Sequence, residues 1–349
     1  MEETMPTIND IASELGISKG TVSKALNNAD DISESLRKKV LEKAVEMGYE
    51  KNRIRKNLNK KLCILVENMD YTEPTHFGYD IVMGFRQLAV PDDWQVDVVP
   101  ITKEMQLETS YDVFMLKNEY QGAFILGLSL LDPWLEELKT SRTPAVLYDN
   151  YIPYNPTVSY VGTDNTEGIE QAIKHLKELG HKKIGYLGGA LDSHITRTRY
   201  EAFQKALQVN DLEFDPNLVG TSYFISECTQ KHLPSLLKQD VTAILCSHDL
   251  LAHSVITECQ ECGYNVPKDV SIIGFDDAPF SAYTNPPLTT IRQRQREIGK
   301  CSYFAFVNLQ NQIAIGKLLL RSRFIERSST GPVRTGALKP SKKVRVCYC

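Results

Sequence analysis

The sequence predicts a small all-α headpiece followed by a large α/β domain of two lobes. Residues 7–48 carry apolar side chains at helical spacing, interrupted by turn-forming residues. From Leu62 onward, short β-rich runs alternate with helical stretches, which is typical of parallel sheets covered by helices on both faces. Because about 270 residues of this alternation exceed one compact sheet, the α/β region is expected to divide into two lobes.

The headpiece pattern predicts three short helices. Ser18 and Ser33 are placed to cap the second and third helices, and Gly16 and Gly48 end the first and third. The short turn at Gly16 makes the first two helices a helix-turn-helix, in which the first helix braces the second. The apolar stripes of the three helices are Ile8, Ile11, Ala12 and Leu15; Val22, Ala25 and Leu26; and Leu36, Val40, Ala44 and Met47.

The strands of the α/β region are predicted from its β-rich runs. Residues 151–156 and 285–287 contain turn-forming Pro and Asn, and these surface loops are expected to lead to passages between the lobes. The runs predicted to form strands are 62–67, 96–99, 122–126, 145–147, 183–187, 243–246 and 271–274.

Composition excludes several classes of protein. Hydrophobic residues make up 42% and charged residues 24%, which argues against disorder and fibrous repeats. The start of the sequence has no basic segment followed by an apolar run, so a cytoplasmic protein is expected. The eight cysteines are scattered, and Cys259 and Cys262 lack a second ligand pair, so most are interpreted as small core residues.

Charge is distributed unevenly along the chain. The net charge is −4, yet residues 1–61 carry 12 Lys and Arg against 10 Asp and Glu. Residues 51–61 include six basic residues and no acidic one. Such a run is usually a solvated face, but its position after a helix-turn-helix pattern favours contact with phosphates.

Recognisable motifs run along nearly the whole chain. In the headpiece they are Thr7-Ile8-Asn9-Asp10-Ile11-Ala12, Leu15-Gly16-Ile17-Ser18, Thr21-Val22-Ser23-Lys24, Leu26-Asn27, Val40-Leu41 and Gly48-Tyr49. Later in the chain they are Asn52-Arg53-Ile54, Gly162-Thr163-Asp164-Asn165, Leu179-Gly180-His181, Gly274-Phe275-Asp276-Asp277 and Pro287-Leu288-Thr289-Thr290-Ile291. Together these motifs closely resemble those of the LacI/GalR family of bacterial repressors. The resemblance implies a sequence-specific regulator, most simply a repressor, that binds a palindromic operator in double-stranded DNA as a homodimer.

The second headpiece helix is expected to enter the major groove, because its exposed residues are small, polar or basic. In the family, the positions of Lys19, Gly20 and Lys24 face base edges, and Gly20 has no side chain with which to read them. The alternative is that these are simply solvated helix residues. The headpiece candidates for DNA contact are Thr7, Ser18, Lys19, Gly20, Thr21, Ser23, Lys24 and Asn27.

Residues 49–61 resemble the family's hinge, which folds into a short helix when a dimer is seated on its operator. The resemblance makes Asn52, Arg53 and Leu58 DNA-contact candidates, with Leu58 as the wedge that kinks the minor groove. Repulsion among its basic residues should keep this segment disordered when the protein is not bound to DNA. Lys51 stands where the family often has proline, which puts the hinge geometry in doubt.

The large domain resembles the family's periplasmic-binding-protein-like (type I) effector domain, which implies a sugar bound in a cleft between the lobes. Arg199 and Asp276 suit charge-assisted hydrogen bonds to vicinal hydroxyls, and Phe77 suits stacking on a sugar face. Arg199 could instead be a surface charge, Asp276 a turn cap and His248 a structural imidazole. The ligand-contact candidates implied by the resemblance are Phe77, Asp149, Arg199, His248, Asp276 and Gln293.

The changes of pattern along the chain predict three regions. The headpiece is 1–48, the hinge 49–61 and the effector domain 62–338, with one lobe of about 62–161 and 293–322 and another of about 162–292 and 323–338. Helices at 77–88 and 297–320 are interface candidates by resemblance, and the tail at 339–345 is too short for a tetramerising coiled coil.

An enzyme is the first alternative to a regulator. The glycines of 185–189 lack the spacing of a nucleotide-binding loop, so no catalytic residue, cofactor or metal is predicted. A DNA-binding protein with a purely architectural role is the second alternative, and its large domain would bind no ligand. Within the family, two alternatives to a sugar as effector stay open: a purine or nucleoside, and a phosphorylated partner protein.

Overall fold

The computed structural model describes residues 6–49, 60–148 and 150–336. The chain divides into two compact units. One unit comprises Met1–Thr72, Gly78–Val161 and Arg296–Leu318, and the other comprises Glu73–Phe77, Gly162–Gln295 and Leu319–Cys349. Within the described ranges, no helix combines the length and apolarity that a membrane span requires.

The headpiece consists of α1 (Ile8–Leu15), α2 (Lys19–Leu26) and α3 (Glu34–Met47). Gly16 and Gly48 follow α1 and α3 in the left-handed conformation, with φ of 63° and 75°, which glycine adopts without steric cost. The predicted helices and their stops are confirmed. The buried core of the headpiece is formed by Ile11, Ala12, Val22, Ala25, Leu26, Val40, Leu41 and Ala44.

The next part of the chain alternates strands and helices. Its elements are β1 (Lys61–Val66), α4 (Phe77–Ala89), β2 (Gln95–Pro100), α5 (Lys103–Glu108), α6 (Tyr111–Lys117), β3 (Ala123–Leu126), α7 (Pro133–Glu137), β4 (Ala145–Leu147) and β5 (Val158–Thr163).

The remaining elements follow the same alternation before the chain returns to the first sheet. They are α8 (Asn165–Glu178), β6 (Ile184–Gly188), α9 (His194–Val209), β7 (Val219–Thr221), α10 (Ile225–Glu227), α11 (Leu233–Lys238), β8 (Ala243–Cys246), α12 (Asp249–Glu261), β9 (Ser271–Asp276), β10 (Thr289–Arg292), α13 (Gln295–Gln310), β11 (Lys317–Leu320) and β12 (Arg323–Ile325). A π-helical segment, Cys228–His232, joins α10 to α11.

Two mostly parallel sheets organise these elements. The first sheet has the strand order β11-β5-β4-β3-β1-β2, and the second has the order β12-β10-β9-β8-β6-β7. In the first, Ile64 of β1 lies opposite Val98 and Phe124. β12 is antiparallel to β10, whereas β6 to β10 run parallel, so their carboxyl ends share one edge. Ligands of open α/β sheets bind outside this edge.

Apolar side chains cover both faces of each sheet. Trp134, Tyr111 and Leu138 pack on one face of the first sheet, and Phe203 and Leu176 on one face of the second. The central strands are buried throughout, which is why their sequences are continuous apolar runs rather than alternating ones.

The helix predicted over 297–320 is wrong in its extent. α13 ends at Gln310, and residues 317–320 form the edge strand β11, which pairs with β5. The run Leu318-Leu319-Leu320 is apolar enough for a buried helix or a strand, and periodicity alone does not distinguish them in so short a segment.

Candidate functional site

The DNA-reading surface predicted from the sequence is built on α2. Ser18 caps this helix, since its Oγ accepts a hydrogen bond from the Thr21 N–H at 3.1 Å. Thr7 caps α1 through reciprocal hydrogen bonds with Asp10, whose carboxylate accepts from the Thr7 N–H at 2.6 Å. The caps fix where the two helices begin, and the left-handed Gly16 sets the turn between them.

Most of the predicted DNA contacts lie on the headpiece surface. Lys24 forms an ion pair with Asp31, and both side chains are more than half exposed. Its charge is therefore partly balanced before any phosphate or base arrives. Thr7, Ser18, Lys19, Gly20, Lys24 and Asn27 are exposed and Thr21 and Ser23 are half-buried, while Asn52, Arg53 and Leu58 lie outside the described residues.

Arg199 is held at the carboxyl edge of the second sheet. It is only 6% exposed, and its guanidinium lies 3.8 Å from the centroid of the Phe275 ring. Its Nε donates to Asn165 Oδ1 at 3.1 Å, Nη1 to the Ser247 carbonyl at 2.5 Å and Nη2 to Asp276 Oδ1 at 3.3 Å. The charged group is thus fixed in one orientation, and the surface-charge interpretation of Arg199 is wrong.

Asp276 joins this network at the end of β9. It accepts a second hydrogen bond, from Gln293 Nε2 at 2.7 Å, and Thr163 Oγ1 donates to Gln293 Oε1 at 2.7 Å. Its φ of 115° lies in a region that side-chain-bearing residues rarely adopt. Such backbone strain persists where surrounding contacts enforce it, which is typical of functional sites. The structure therefore brings Arg199, Asp276 and Gln293 together.

His248 adjoins the same network through Ser247, whose Oγ lies 3.0 Å from His248 Nδ1. Burial, and next the charge of Arg199, lower the pKa of His248 from 6.5 to about 4. The imidazole is therefore neutral at physiological pH. In this state one ring nitrogen accepts and the other donates, so the ring is able to exchange hydrogen bonds with a neutral ligand.

The depressed pKa of His248 predicts how stability depends on pH. Below pH 6.5, His248 binds a proton in the unfolded chain but stays neutral in the folded protein until the pH approaches 4. The free energy of unfolding therefore falls as pH decreases towards 4. We expect wild type to lose on the order of 1–2 kcal/mol more than His248→Asn between pH 7.5 and pH 5. Urea unfolding at both pH values measures the difference. Replacing the exposed His253 of α12 by Asn is the control, and an equal effect of the two substitutions would contradict the assignment.

Asp249 is a buried carboxylate that the sequence analysis did not single out. It accepts hydrogen bonds from the Ala278 N–H at 2.8 Å, from Ser281 Oγ at 2.6 Å and from Thr290 Oγ1 at 2.5 Å. Burial, together with the nearby Asp276 charge, raises the pKa of Asp249. Its role is to tie the segment after β9 and strand β10 to the start of α12.

The first sheet has its own buried polar group at the carboxyl end of β1. Glu67 is 8% exposed and accepts a hydrogen bond from Gln106 Nε2 at 2.7 Å, while Gln106 Oε1 accepts from the Trp134 N–H at 3.2 Å. Burial, and next the charge of the buried Asp132, raise the pKa of Glu67. The sequence pattern does not identify Glu67 as a buried polar residue, because Glu67 simply follows the apolar run of β1 by one position.

The remaining predicted ligand contacts stay predictions. Phe77 is the half-buried first residue of α4, and Asp149 lies outside the described residues. Sequence reasoning missed Asn165 and Ser247 as partners of Arg199, although Asn165 stands in a quoted motif and Ser247 directly follows β8. Among the described residues, no three His, Cys, Asp or Glu side chains form a group that could hold a metal ion.

Two family models match the chain. The one for bacterial regulatory proteins of the lacI family matches residues 7–52, and the one for the periplasmic binding protein-like domain matches residues 173–330. The HTH-type transcriptional repressor CytR of Escherichia coli (strain K12) is 30% identical over 336 residues, which cover 94% of this chain and 97% of that repressor.

Solved structures agree with these matches. A complex of the transcriptional regulator CelR with cellobiose has a TM-score of 0.68 and 25% identity, covering 93% of this chain and 99% of that one. The lac repressor dimer bound to operator and the anti-inducer ONPF has a TM-score of 0.64 and 24% identity, covering 94% and 100%, and shows the shared fold. The predicted helix-turn-helix headpiece and type I periplasmic-binding-protein-like domain are confirmed. The chain belongs to the lacI family of bacterial regulatory proteins, which are DNA-binding transcriptional regulators.

Proposed function

We propose that this protein is a cytoplasmic repressor of carbohydrate-utilisation genes that reads a palindromic operator through α2 as a homodimer. The exposed polar and basic face of α2 supports the reading role. A single headpiece buries too little surface for tight specific binding, and a palindromic site presents two half-sites. Its relatives are regulators, so binding and not catalysis is the proposed activity.

The effector that fits best is a small sugar, and the hydrogen-bond network around Arg199 is the observation that carries this proposal. Arg199 and Asp276 supply a charged donor and a charged acceptor side by side, which suits vicinal hydroxyl groups. Gln293 and the neutral His248 add groups that both donate and accept. Phe77 and Asp149 are further proposed contacts. A neutral, polyhydroxylated ligand satisfies such a mixture without burying a new charge.

Ligand screening by thermal unfolding tests the effector class. The full chain is mixed with mono- and disaccharides, sugar phosphates and nucleosides, because any compound that binds the folded state raises its unfolding temperature. Stabilisation by a sugar that no longer stabilises an Arg199 variant supports the proposal. Stabilisation by a nucleoside and by no sugar would show that the effector is a nucleoside. No shift with any compound would favour a phosphorylated partner protein.

Sugar binding is proposed to change operator affinity through residues 49–61. Linkage then requires the effector and operator to alter each other's affinity by the same factor. We therefore infer that a sugar which releases the operator binds more weakly to the DNA-bound dimer. A sugar affinity that is unchanged by a saturating operator would contradict this account.

Lys24 provides a direct test of the reading helix. DNA ligands selected from a random pool should bind Lys24→Ala about tenfold more weakly than wild type, because a good contact to a base edge contributes about 1–3 kcal/mol. Lys43 of α3, which is ion-paired with Glu46 at 2.6 Å, is the matched control. Fluorescence anisotropy measures both. Equal losses for Lys24→Ala and Lys43→Ala would show that α2 is not the reader.

A further inference from the structure

The headpiece core is completed by α6, a helix from the α/β part of the first unit. Val113 of α6 is 6% exposed and belongs to the same apolar cluster as Val40, Leu41 and Ala44 of α3. Leu116, one turn later on α6, packs against this cluster as well. A three-helix headpiece of about 40 residues has too little core to be very stable alone. Side chains from α6 therefore add to its stability.

Both ends of α3 also contact the α/β part of the first unit, through polar contacts at its start and through a close approach at its end. Near its start, the Glu34 carboxylate lies 3.8 Å from Lys117 Nζ, and Lys38 Nζ donates to the Glu108 carbonyl at 3.3 Å. At its end, a Cβ on Gly48 would lie 1.9 Å from Arg142 Nη1. Only glycine lets this guanidinium come so near the carboxyl end of α3, where a positive charge is favourable.

The contact between α3 and α6 leaves the reading surface of α2 free, and a groove lies beside this contact. Lys19, Gly20 and Lys24 of α2 remain exposed while α3 is docked. A groove of about 740 Å³, lined on one side by α3 and on the other by residues 106–117, lies beside the contact. The docked headpiece therefore still presents α2 to DNA, and part of the two facing surfaces stays in contact with solvent.

The groove also lies on a chain of contacts that begins at the sheet edge. Gln106 lines the groove and donates to Glu67 at the carboxyl end of β1. The Tyr111 N–H, at the start of α6, donates to Glu137 Oε2 at 2.6 Å, and the Tyr111 ring packs on Trp134 at 5.7 Å. A movement at this edge would therefore reach α6 through buried groups with little freedom to absorb it.

We propose that α6 is a docking platform that positions the headpiece through α3. The α/β part of the first unit then influences DNA binding through this contact as well as through residues 49–61. Val113 is the central positioning residue. The effect on DNA rests on the proposed reading role of α2, whereas the docking itself does not.

Hydrogen exchange and DNA binding of Val113→Asp in the full chain test the platform. A carboxylate in the apolar contact should detach α3, so its amides should exchange about tenfold faster or more, while those of β1 and β3 keep the wild-type rate. Selected DNA should bind this variant about tenfold more weakly. Val113→Ile, which preserves the apolar contact, should match wild type in both measurements, as should Lys139→Glu, a charge reversal at an exposed ion pair elsewhere on the unit.

The outcomes separate docking from function. Unchanged exchange of α3 in Val113→Asp would overturn the platform, and so would an equal acceleration in α3, β1 and β3, which indicates general destabilisation. Faster exchange of α3 with unchanged DNA affinity would overturn the positioning role. If wild type binds no selected DNA, the proposed function fails, while the exchange result still decides the docking.

Discussion

Arg199→Met will abolish the response of DNA binding to the effector and leave the affinity for DNA alone close to wild type. Methionine keeps much of the packing against Phe275 but cannot replace the hydrogen bonds to Asn165, Ser247 and Asp276. Asp276, whose side chain is 15% exposed, then loses its cation. Removing one member of a largely buried ion pair costs about 3–5 kcal/mol, so the second unit should also lose stability.

The neighbouring Arg197 supplies a matched control. It stands two residues earlier on α9, is exposed, and donates to the Leu191 carbonyl at 2.9 Å. Arg197→Met should change the free energy of unfolding by about 0.5 kcal/mol or less and keep the effector response. Anisotropy titrations with the sugar found by screening, and urea unfolding followed by circular dichroism, make the comparison. An effector response that survives in Arg199→Met would remove the main support for this site.

The headpiece is the part of the fold that local sequence specifies most fully. Its helix caps at Ser18 and Ser33 and its stop at Gly16 are all where the sequence predicts them, because each depends on a side chain or on φ within a few residues. The docking of Val113 on Leu41 could not be predicted in this way. It depends on surfaces 72 residues apart in the chain, and the sequence of α6 does not show which of its apolar residues face the sheet and which face the headpiece.

The candidate effector site shows the same limit at the level of single residues. The family motifs indicated Arg199, Asp276 and Gln293, which the structure joins in one network. The strand β7 was missed because its sequence, Val-Gly-Thr, has one apolar residue and a glycine. The strands β5 and β10 were missed because they mix apolar residues with Ser, Thr, Gly or Arg, and pairing with neighbouring strands decides their structure. Asp249 escaped notice because its three donors come from two segments that are distant from it in the chain.

Gly299→Ala will destabilise the first unit by about 2–3 kcal/mol, although alanine is the better helix former. The crossing of α4 and α13 brings their backbones together here. A Cβ on Gly299 would lie 2.0 Å from the Ile81 carbonyl oxygen and 2.7 Å from the Phe85 nitrogen, and a Cβ on Gly84 would lie 2.1 Å from the Arg296 carbonyl oxygen. Since backbone atoms cannot rotate away, the two helices must separate.

Tryptophan fluorescence reports this loss selectively, because both tryptophans of the chain, Trp94 and Trp134, lie in the first unit. The control is Gly20→Ala, where a Cβ would meet only Ser18 Oγ at 3.6 Å, so helix propensity alone should stabilise α2 by up to about 1 kcal/mol. The helices α4 and α13 are also the proposed dimer interface, so Gly299→Ala should shift sedimentation towards monomer. An unchanged urea midpoint would show that the crossing tolerates a methyl group and that its glycines serve another purpose.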